Sequence, residues 1–426
     1  MAASLGRNFT IVGAATLASR LTGFLRDMLV AAVLGAGPVA DAYVATFLIP
    51  NLFRRIIGEG AFNAAYVPIF TRRETEGGQE SAARFAEAAL SLLAGLGLLI
   101  LLLGELAMPS LIGLVAPGFA ADPAKFADAV AFGRILFPFV AIILVVAAFN
   151  GTLNALGRYA VAAWAPVLLN VMLIAALLWC LATDLRGTRE AGLVLVWTVP
   201  LAGLVNLAAV ALAARFAGYP LRPRWPRLDA DLKRLMLFAL PGIAVVGSGP
   251  VNMLVAAQMS SATPSAVSWL YFADRIFQLP LGFVVAAVGV VLLPAVSRHL
   301  AGGDAAAAQD AENRALEFAL LVALPAAMGL FLFAKPIVGL LYERGAFTAS
   351  DTAAVAGVLR ALAVGLPAFV LVKVLLPAFL AREELRGPIL AAVLGIAANV
   401  AAALALQPRF GSQAAAMGVA ASAATN

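Results

Sequence analysis

Nine charged side chains set in apolar stretches are where this sequence could do chemistry. Arg20, Arg26 and Asp27 lie in the first stretch. Asp41, Arg54, Arg55 and Glu59 lie in or at the ends of the second, and Asp274 and Arg275 in a later one. An ionised side chain at mid-membrane costs about 3 kcal/mol or more, so it faces a wet cavity or a partner. Arginine cannot escape by losing its proton. The arginine excess therefore predicts a polar cavity that holds an anion.

Spacing sorts these residues further. Arg20 and Asp27 are seven apart and share a helix face about two turns apart, while Arg26 sits away from Asp27 by roughly a third of a turn. An Arg–Asp structural pair would account for Asp27 and Arg26 near the end of the span. It would not account for Arg20, near the middle, which is assigned to the cavity. Arg55 and Glu59 stand at i,i+4 and could pair, and Arg55 could equally snorkel to the headgroups. Arg54 points about 100° away and is the better cavity residue. Adjacent Asp274 and Arg275 do not face each other. Either they serve different partners, with Arg275 in the cavity, or they form one inter-helix salt bridge. Lys373, deep in the tenth span, could hold an anion or bury its charge against a carboxylate.

The elements that must position these groups are membrane helices. The chain of 426 residues is 63% hydrophobic and 12% charged, against roughly 25% charged in a soluble protein. Its polar residues cluster between apolar runs of about 20 residues. The runs predict twelve spans, at 8–33, 39–60, 82–109, 126–152, 158–182, 191–217, 232–260, 265–297, 313–340, 351–380, 387–407 and from 411 onward. Pro50, Pro138, Pro166, Pro241, Pro280 and Pro367 fall inside helices, where each favours a kink. Gly58, Gly60 and Pro68 predict a break followed by a short amphipathic piece. Basic residues gather in alternate loops, which places the N-terminus in the cytoplasm.

Short matches recur at nearly constant offsets. Pro68 in AYVPIFTR pairs with Pro294 in LLPAVSR, Gly118-Phe119 with Gly345-Ala346-Phe347, and Asn170-Val171 with Asn399-Val400. They predict an internal duplication: an all-α polytopic membrane protein with two pseudo-symmetric six-helix lobes around a central cavity. The lobes are 1–217 and 232–426, joined by a basic, proline-bearing cytoplasmic linker at 218–231. The segment from Gly411 to Asn426 reads as an incomplete last helix, as in a truncated chain.

Other chemistries lack their residues. The sequence carries no Walker A motif for ATP, no Ser/His/Asp set and no His/Cys metal spacing. Cys180 is the single cysteine and His299 the single histidine. No catalytic residue, metal or cofactor is expected, and no nucleic acid, since net charge +6 follows the loop bias of a membrane protein. The apolar stretches of spans seven, eleven and twelve contain no acidic residue, so no carboxylate-based Na⁺ or H⁺ site is expected there. The sequence does not assign a coupling ion.

One series of residues resembles the MviN/MurJ family of lipid II flippases, within the multidrug/oligosaccharidyl-lipid/polysaccharide exporter superfamily. It comprises SRLTGFLRD at 19–27, ADAY at 40–43, PNLFRR at 50–55, GEGAF at 58–62, SWLYFADR at 268–275 and GAFT at 345–348. The resemblance implies two six-helix lobes around a cavity, and it implies that Arg20, Arg26, Asp41, Arg54 and Arg275 match positions used there. It also implies a bacterial inner-membrane transporter moving lipid II, an undecaprenyl-pyrophosphate-linked muropeptide, to the periplasmic leaflet by alternating access. Membrane lipids and cell-wall synthesis proteins would be its partners. Arg20, Arg26, Arg54 and Arg275 would bind the pyrophosphate. Asp27, Asp41, Arg55, Glu59 and Asp274 would balance charge or act in gating. Two alternatives stand beside this: a drug/cation antiporter of the same superfamily, which would favour carboxylates and aromatic faces, and a non-transporting membrane scaffold.

Overall fold

A computed structural model describes the backbone of residues 2–58, 61–224, 229–301, 304–381 and 386–426. Side chains are described over the same residues except 2–9, 55–58, 61, 238–250, 285–301, 305, 308, 377–378 and 380–381. Glu59 and the side chain of Arg55 lie outside the described residues, as do the side chains of Leu292–Arg298 and His299.

The described residues form helices and no strands. In chain order they are α1 (Ala2–Leu34), α2 (Pro38–Gly58), α3 (Ala61–Leu106), α4 (Met108–Val115), α5 (Pro123–Leu136), α6 (Pro138–Ala155), α7 (Ala160–Ala182) and α8 (Arg189–Phe216). Then follow α9 (Ala230–Ser260), α10 (Ala266–Ala301), α11 (Ala305–Leu332), α12 (Ala334–Tyr342), α13 (Ala349–Ala381), α14 (Arg386–Phe410) and α15 (Gln413–Thr425). Seven stretches among the described residues are long and apolar enough to cross a membrane. On the second half of α3, Leu98, Leu99, Leu102, Leu103 and Leu106 are all exposed. Such a run is costly in water and suits contact with lipid tails.

Three breaks differ from the expected spans. The break predicted around Gly58 falls at residues 59 and 60, outside the described residues. The piece after it is a helix of its own: it runs from Ala61 through Pro68 and stops at Gly78, where φ is 69° and the backbone leaves the helix before the next span. That left-handed conformation favours glycine. Pro138 is not interior, because α5 ends at Leu136 and Pro138 opens α6. Proline is tolerated at that first position, where its missing N–H would have no partner in the helix. The span expected at 313–340 divides at Phe333 into α11 and α12.

The chain divides into two compact units. The first comprises Met1–Leu34, Ala42–Leu114 and Asp122–Gly247; the second comprises Gly35–Asp41, Val115–Ala121 and Ser248–Asn426. In the first unit α1 packs on α7, α3 on α6, and α8 on α5, α6 and α7. Tyr66 is fully buried there against Phe62, Phe70 and Phe85. Its hydroxyl meets Thr152 Oγ1 at 2.7 Å, so the one polar atom in this aromatic core has a partner. A Cβ on Gly151 would approach the Tyr66 ring to 2.7 Å, so only glycine leaves the ring its place.

The segment after α8 is lashed along α3. Tyr219 donates to Glu74 Oε1 at 2.6 Å, Gln79 donates to the Gly218 carbonyl at 2.7 Å, and the Arg224 amide donates to Ser91 Oγ at 2.7 Å. Arg73 then grips Asp229 at 2.6 Å and Asp231 at 2.7 Å, and Arg72 also binds Asp231. Burial alone would raise the Asp231 pKa. Hydrogen bonds from Arg73 and Arg72 outweigh that and hold it below its ordinary value.

In the second unit α13 packs on α10, α11, α12 and α15, and α14 packs on α15. Thr348 and Asp351 open α13 as a reciprocal capping pair. The Thr348 amide donates to Asp351 Oδ2 at 2.9 Å, and the Asp351 amide donates to Thr348 Oγ1 at 3.3 Å. This satisfies N–H groups that a helix start leaves without partners.

Candidate functional site

Arg26 is tied down within the first unit. Its Nε and Nη2 donate to Asp27 Oδ1 at 3.0 and 2.7 Å, and its Nη1 donates to Asn170 Oδ1 at 2.8 Å. Asn170, on α7, also donates through Nδ2 to the Ser19 carbonyl at 3.1 Å and to Thr22 Oγ1 at 3.3 Å. The ion-pair side chains are 13% and 5% exposed, so neither charge could lose its partner cheaply. Two adjacent helical residues meet here because the long guanidinium folds back across the short aspartate. The α1–α7 packing puts an amide behind both.

Arg20 behaves differently. It is exposed, and it makes no hydrogen bond or ion pair with any described residue. Arg54 is half-buried and donates to Asn51 Oδ1, one turn earlier on α2, at 3.2 and 2.9 Å. Arg20, Arg26 and Arg54 belong to the first unit and Arg275 to the second.

Asp274 and Arg275 serve different partners, one of the two arrangements their spacing allows. Asp274 Oδ2 accepts from Gln278 Nε2. The Arg275 guanidinium carbon lies 4.7 Å from the centre of the Tyr271 ring, a cation–π distance.

Asp41 is a helix cap. It is fully buried and accepts from the Ser265 amide at 3.0 Å, the Ser268 amide at 2.8 Å and the Ser268 hydroxyl at 2.7 Å. These groups open α10, so a carboxylate over 220 residues away completes the first turn and sits at the positive end of its dipole. Lys373 is exposed on α13.

Sequence reasoning missed three groups of this kind: Asn170 as a clamp on Arg26, Tyr271 beneath Arg275, and a neutral cluster in the second unit. In that cluster Asn399 donates to the Asn252 carbonyl and to Asn252 Oδ1, both at 3.1 Å, and Ser422 Oγ donates to Asn252 Oδ1 at 3.1 Å. A signal did exist, since a lone asparagine inside a long apolar run must find a partner.

Solved structures share this architecture. "Lipid II flippase MurJ, inward closed conformation" matches with TM-score 0.81 at 21% identity, over 98% of this chain and 85% of that one. A multidrug resistance MATE family transporter in an inward-facing conformation matches with TM-score 0.76 at 18% identity, over 95% and 91%. The molecule is thus a multi-pass helical membrane protein with the fold of the MOP-superfamily transporters. The family model "Lipid II flippase MurJ" matches residues 30–426. "Probable lipid II flippase MurJ" of Rhizobium meliloti is 46% identical over 95% of this chain and 76% of its own length, and that of Rickettsia prowazekii is 31% identical over 93% and 77%. The chain belongs to the lipid II flippase MurJ family.

Proposed function

We propose that this chain carries lipid II from the cytoplasmic to the periplasmic leaflet of a bacterial inner membrane by alternating access, with its N-terminus in the cytoplasm. Family membership over nearly the whole chain carries the reading. The activity is transport, with no covalent step for a catalytic residue to perform. In this proposal 1–217 and 232–426 act as the two moving lobes, joined by 218–231.

Arg20, Arg26, Arg54 and Arg275 are the pyrophosphate ligands. Guanidinium groups suit this task because two parallel N–H bonds match two phosphate oxygens and the charge never titrates away. The four differ in readiness. Arg20 is exposed, so it binds without first breaking a bond to another described residue. Arg275 already sits over the Tyr271 ring, which fixes where its charge is presented. Arg26 has three N–H bonds committed to Asp27 and Asn170, so it contributes field and orientation more than direct contact. Asp27, Asp41, Arg55, Glu59 and Asp274 balance these charges or change partners between states.

The test is restoration of growth and lipid II export in cells depleted of their own flippase. We expect the parent protein to restore export, and Arg20→Ala and Arg275→Ala to abolish it while reaching the membrane at parental levels. Normal export by both variants would remove these arginines from the site. Failure of the parent would overturn the transport reading itself.

A further inference from the structure

Each unit contains an interrupted helix, and the two interruptions carry different charge. In the first unit α3 ends at Leu106 and α4 opens at Met108; in the second α11 ends at Leu332 and α12 opens at Ala334. A proline follows each break, Pro336 coming 227 residues after Pro109. The following helix carries an arginine, Arg134 on α5 and Arg360 on α13, 226 residues apart. At the first break Glu105 stands close enough for its charge to act on Arg134, so the pair is balanced. At the second, 227 residues further on, Leu332 takes the place of Glu105 and Lys335 that of Met108. Met108 is buried, whereas Lys335 and Arg360 are exposed. Neither cation forms an ion pair with a described residue.

Arg360 is held in place. Its Nε donates to the Phe331 carbonyl, in the last turn of α11, at 3.3 Å. Carbonyls at a helix end have no partner within the helix. The two terminal nitrogens of the guanidinium make no hydrogen bond to a described residue. Lys335 lies in the first turn of α12. Phe333 caps that helix without a side-chain hydrogen bond, so the positive end of the helix dipole adds to the field. The nearest carboxylates along the chain are engaged elsewhere. Glu343 accepts from Thr352 Oγ1 at 2.7 Å, and Asp351 Oδ2 accepts from the Thr348 amide at 2.9 Å.

The depth also suits a headgroup. Seventeen uncharged residues separate Glu317 from Lys335, a rise of about 26 Å against roughly 30 Å of hydrocarbon. Lys335 therefore stands at the edge of the apolar core. Towards that core, Leu324, Met328 and Leu332 on α11 are exposed, as is Val364, one turn from Arg360 on α13. Snorkelling alone would extend the arginine to water, yet this guanidinium is tied to the end of α11. A small free anion would leave the apolar face unmatched, and a zwitterionic headgroup brings a cation of its own.

We infer that the break between α11 and α12 seats one anionic phospholipid, its phosphodiester between Lys335 and Arg360 and an acyl chain over Met328, Leu332 and Val364. Basic pockets beside membrane helices hold lipid phosphates in this way. The site uses no residue assigned to lipid II and does not depend on the transport reading.

The test uses the full chain, delipidated in detergent micelles doped with either phosphatidylglycerol or phosphatidylcholine, and reads the melting midpoint. A ligand that binds only the folded state raises the midpoint with its concentration. Phosphatidylglycerol is expected to raise it and phosphatidylcholine to leave it unchanged. Lys335→Gln, at an exposed position, is expected to weaken the phosphatidylglycerol effect on the order of tenfold in concentration, the loss of one charge-assisted hydrogen bond. Adding Arg360→Gln should abolish it. Arg134→Gln, at the balanced break, should leave the concentration dependence as in the parent. Equal stabilisation by both lipids would overturn the proposal, as would an undiminished response in Lys335→Gln. Equal weakening by Arg134→Gln would also overturn it, by showing a diffuse attraction to the cationic rim. So would complete displacement of the lipid effect by inorganic phosphate, which would identify a plain anion site.

Discussion

Asn170 on α7 and Asn399 on α14 do similar work with different chemistry around them. Each sits in a long apolar helix and donates its side-chain amide to a backbone carbonyl of a neighbouring helix, Ser19 for the first and Asn252 for the second. The residues they engage also stand at matching intervals, since Asn399 follows Asn170 by 229 residues and Asn252 follows Arg26 by 226. Around Asn170 the cluster contains a buried ion pair. Around Asn399 the described residues contribute amides and the Ser422 hydroxyl. The same device can therefore clamp a helix pair with or without charge. A neutral clamp serves in the second unit, so a clamp of this kind does not by itself require the charges at Arg26 and Asp27.

The largest expected effect comes from breaking the charged clamp. Asp27→Ala leaves the Arg26 guanidinium buried with only Asn170 on the described side, at a cost of about 3–5 kcal/mol. Detergent thermostability should show a midpoint well below the parent's. Replacing Arg26 and Asp27 together by Met and Leu should recover much of that loss, because no lone charge remains. A double variant as unstable as Asp27→Ala would mean that the pair itself holds α1 on α7.

A smaller contrast compares the two asparagines directly. Asn170→Ala gives up a charge-assisted bond and should cost about 2 kcal/mol, while Asn399→Ala gives up neutral bonds and should cost about 1 kcal/mol. Equal losses in the same stability assay would show that the ion pair adds nothing to the clamp.

The smallest effect lies outside both clamps, where Arg72 and Arg73 hold Asp231. Because the folded-state pKa of Asp231 is depressed below its ordinary 3.8, its contribution is fully present above that value. It is lost as pH falls through the depressed pKa. Thermal midpoints should therefore decline below about pH 4 in the parent, and less steeply in Arg73→Gln. Parallel curves for the two proteins would exclude this latch as a source of acid sensitivity.

Much of the architecture was legible in the sequence, because a bilayer demands long apolar runs and the chain supplies them. The expected spans at 158–182, 191–217 and 232–260 fall within a few residues of α7, α8 and α9. What misled was local. A proline inside an apolar run reads the same whether it lies within a helix, as Pro68 does in α3, or opens a new one, as Pro138 does. The candidate site was legible as a set of arginines but not as a set of states. Nothing about the spacing of Arg20 and Arg26 says that one is exposed and the other bound on three nitrogen atoms.

Composition, periodicity and family motifs by themselves determined that this chain spans a membrane, roughly where its helices run, and which charges lie in apolar surroundings. These are properties of short stretches, set by the transfer of side chains out of water. Tertiary structure decided the partners. It brought Asn170 against Arg26, set Asp41 over the first turn of α10, tied Gly218, Tyr219, Arg224, Asp229 and Asp231 to α3, and joined Asn252, Asn399 and Ser422 in one buried cluster. A buried polar group must find a partner, but which partner depends on which helices pack together. That is fixed by shape complementarity along whole helices and not by the residues on either side of the polar group.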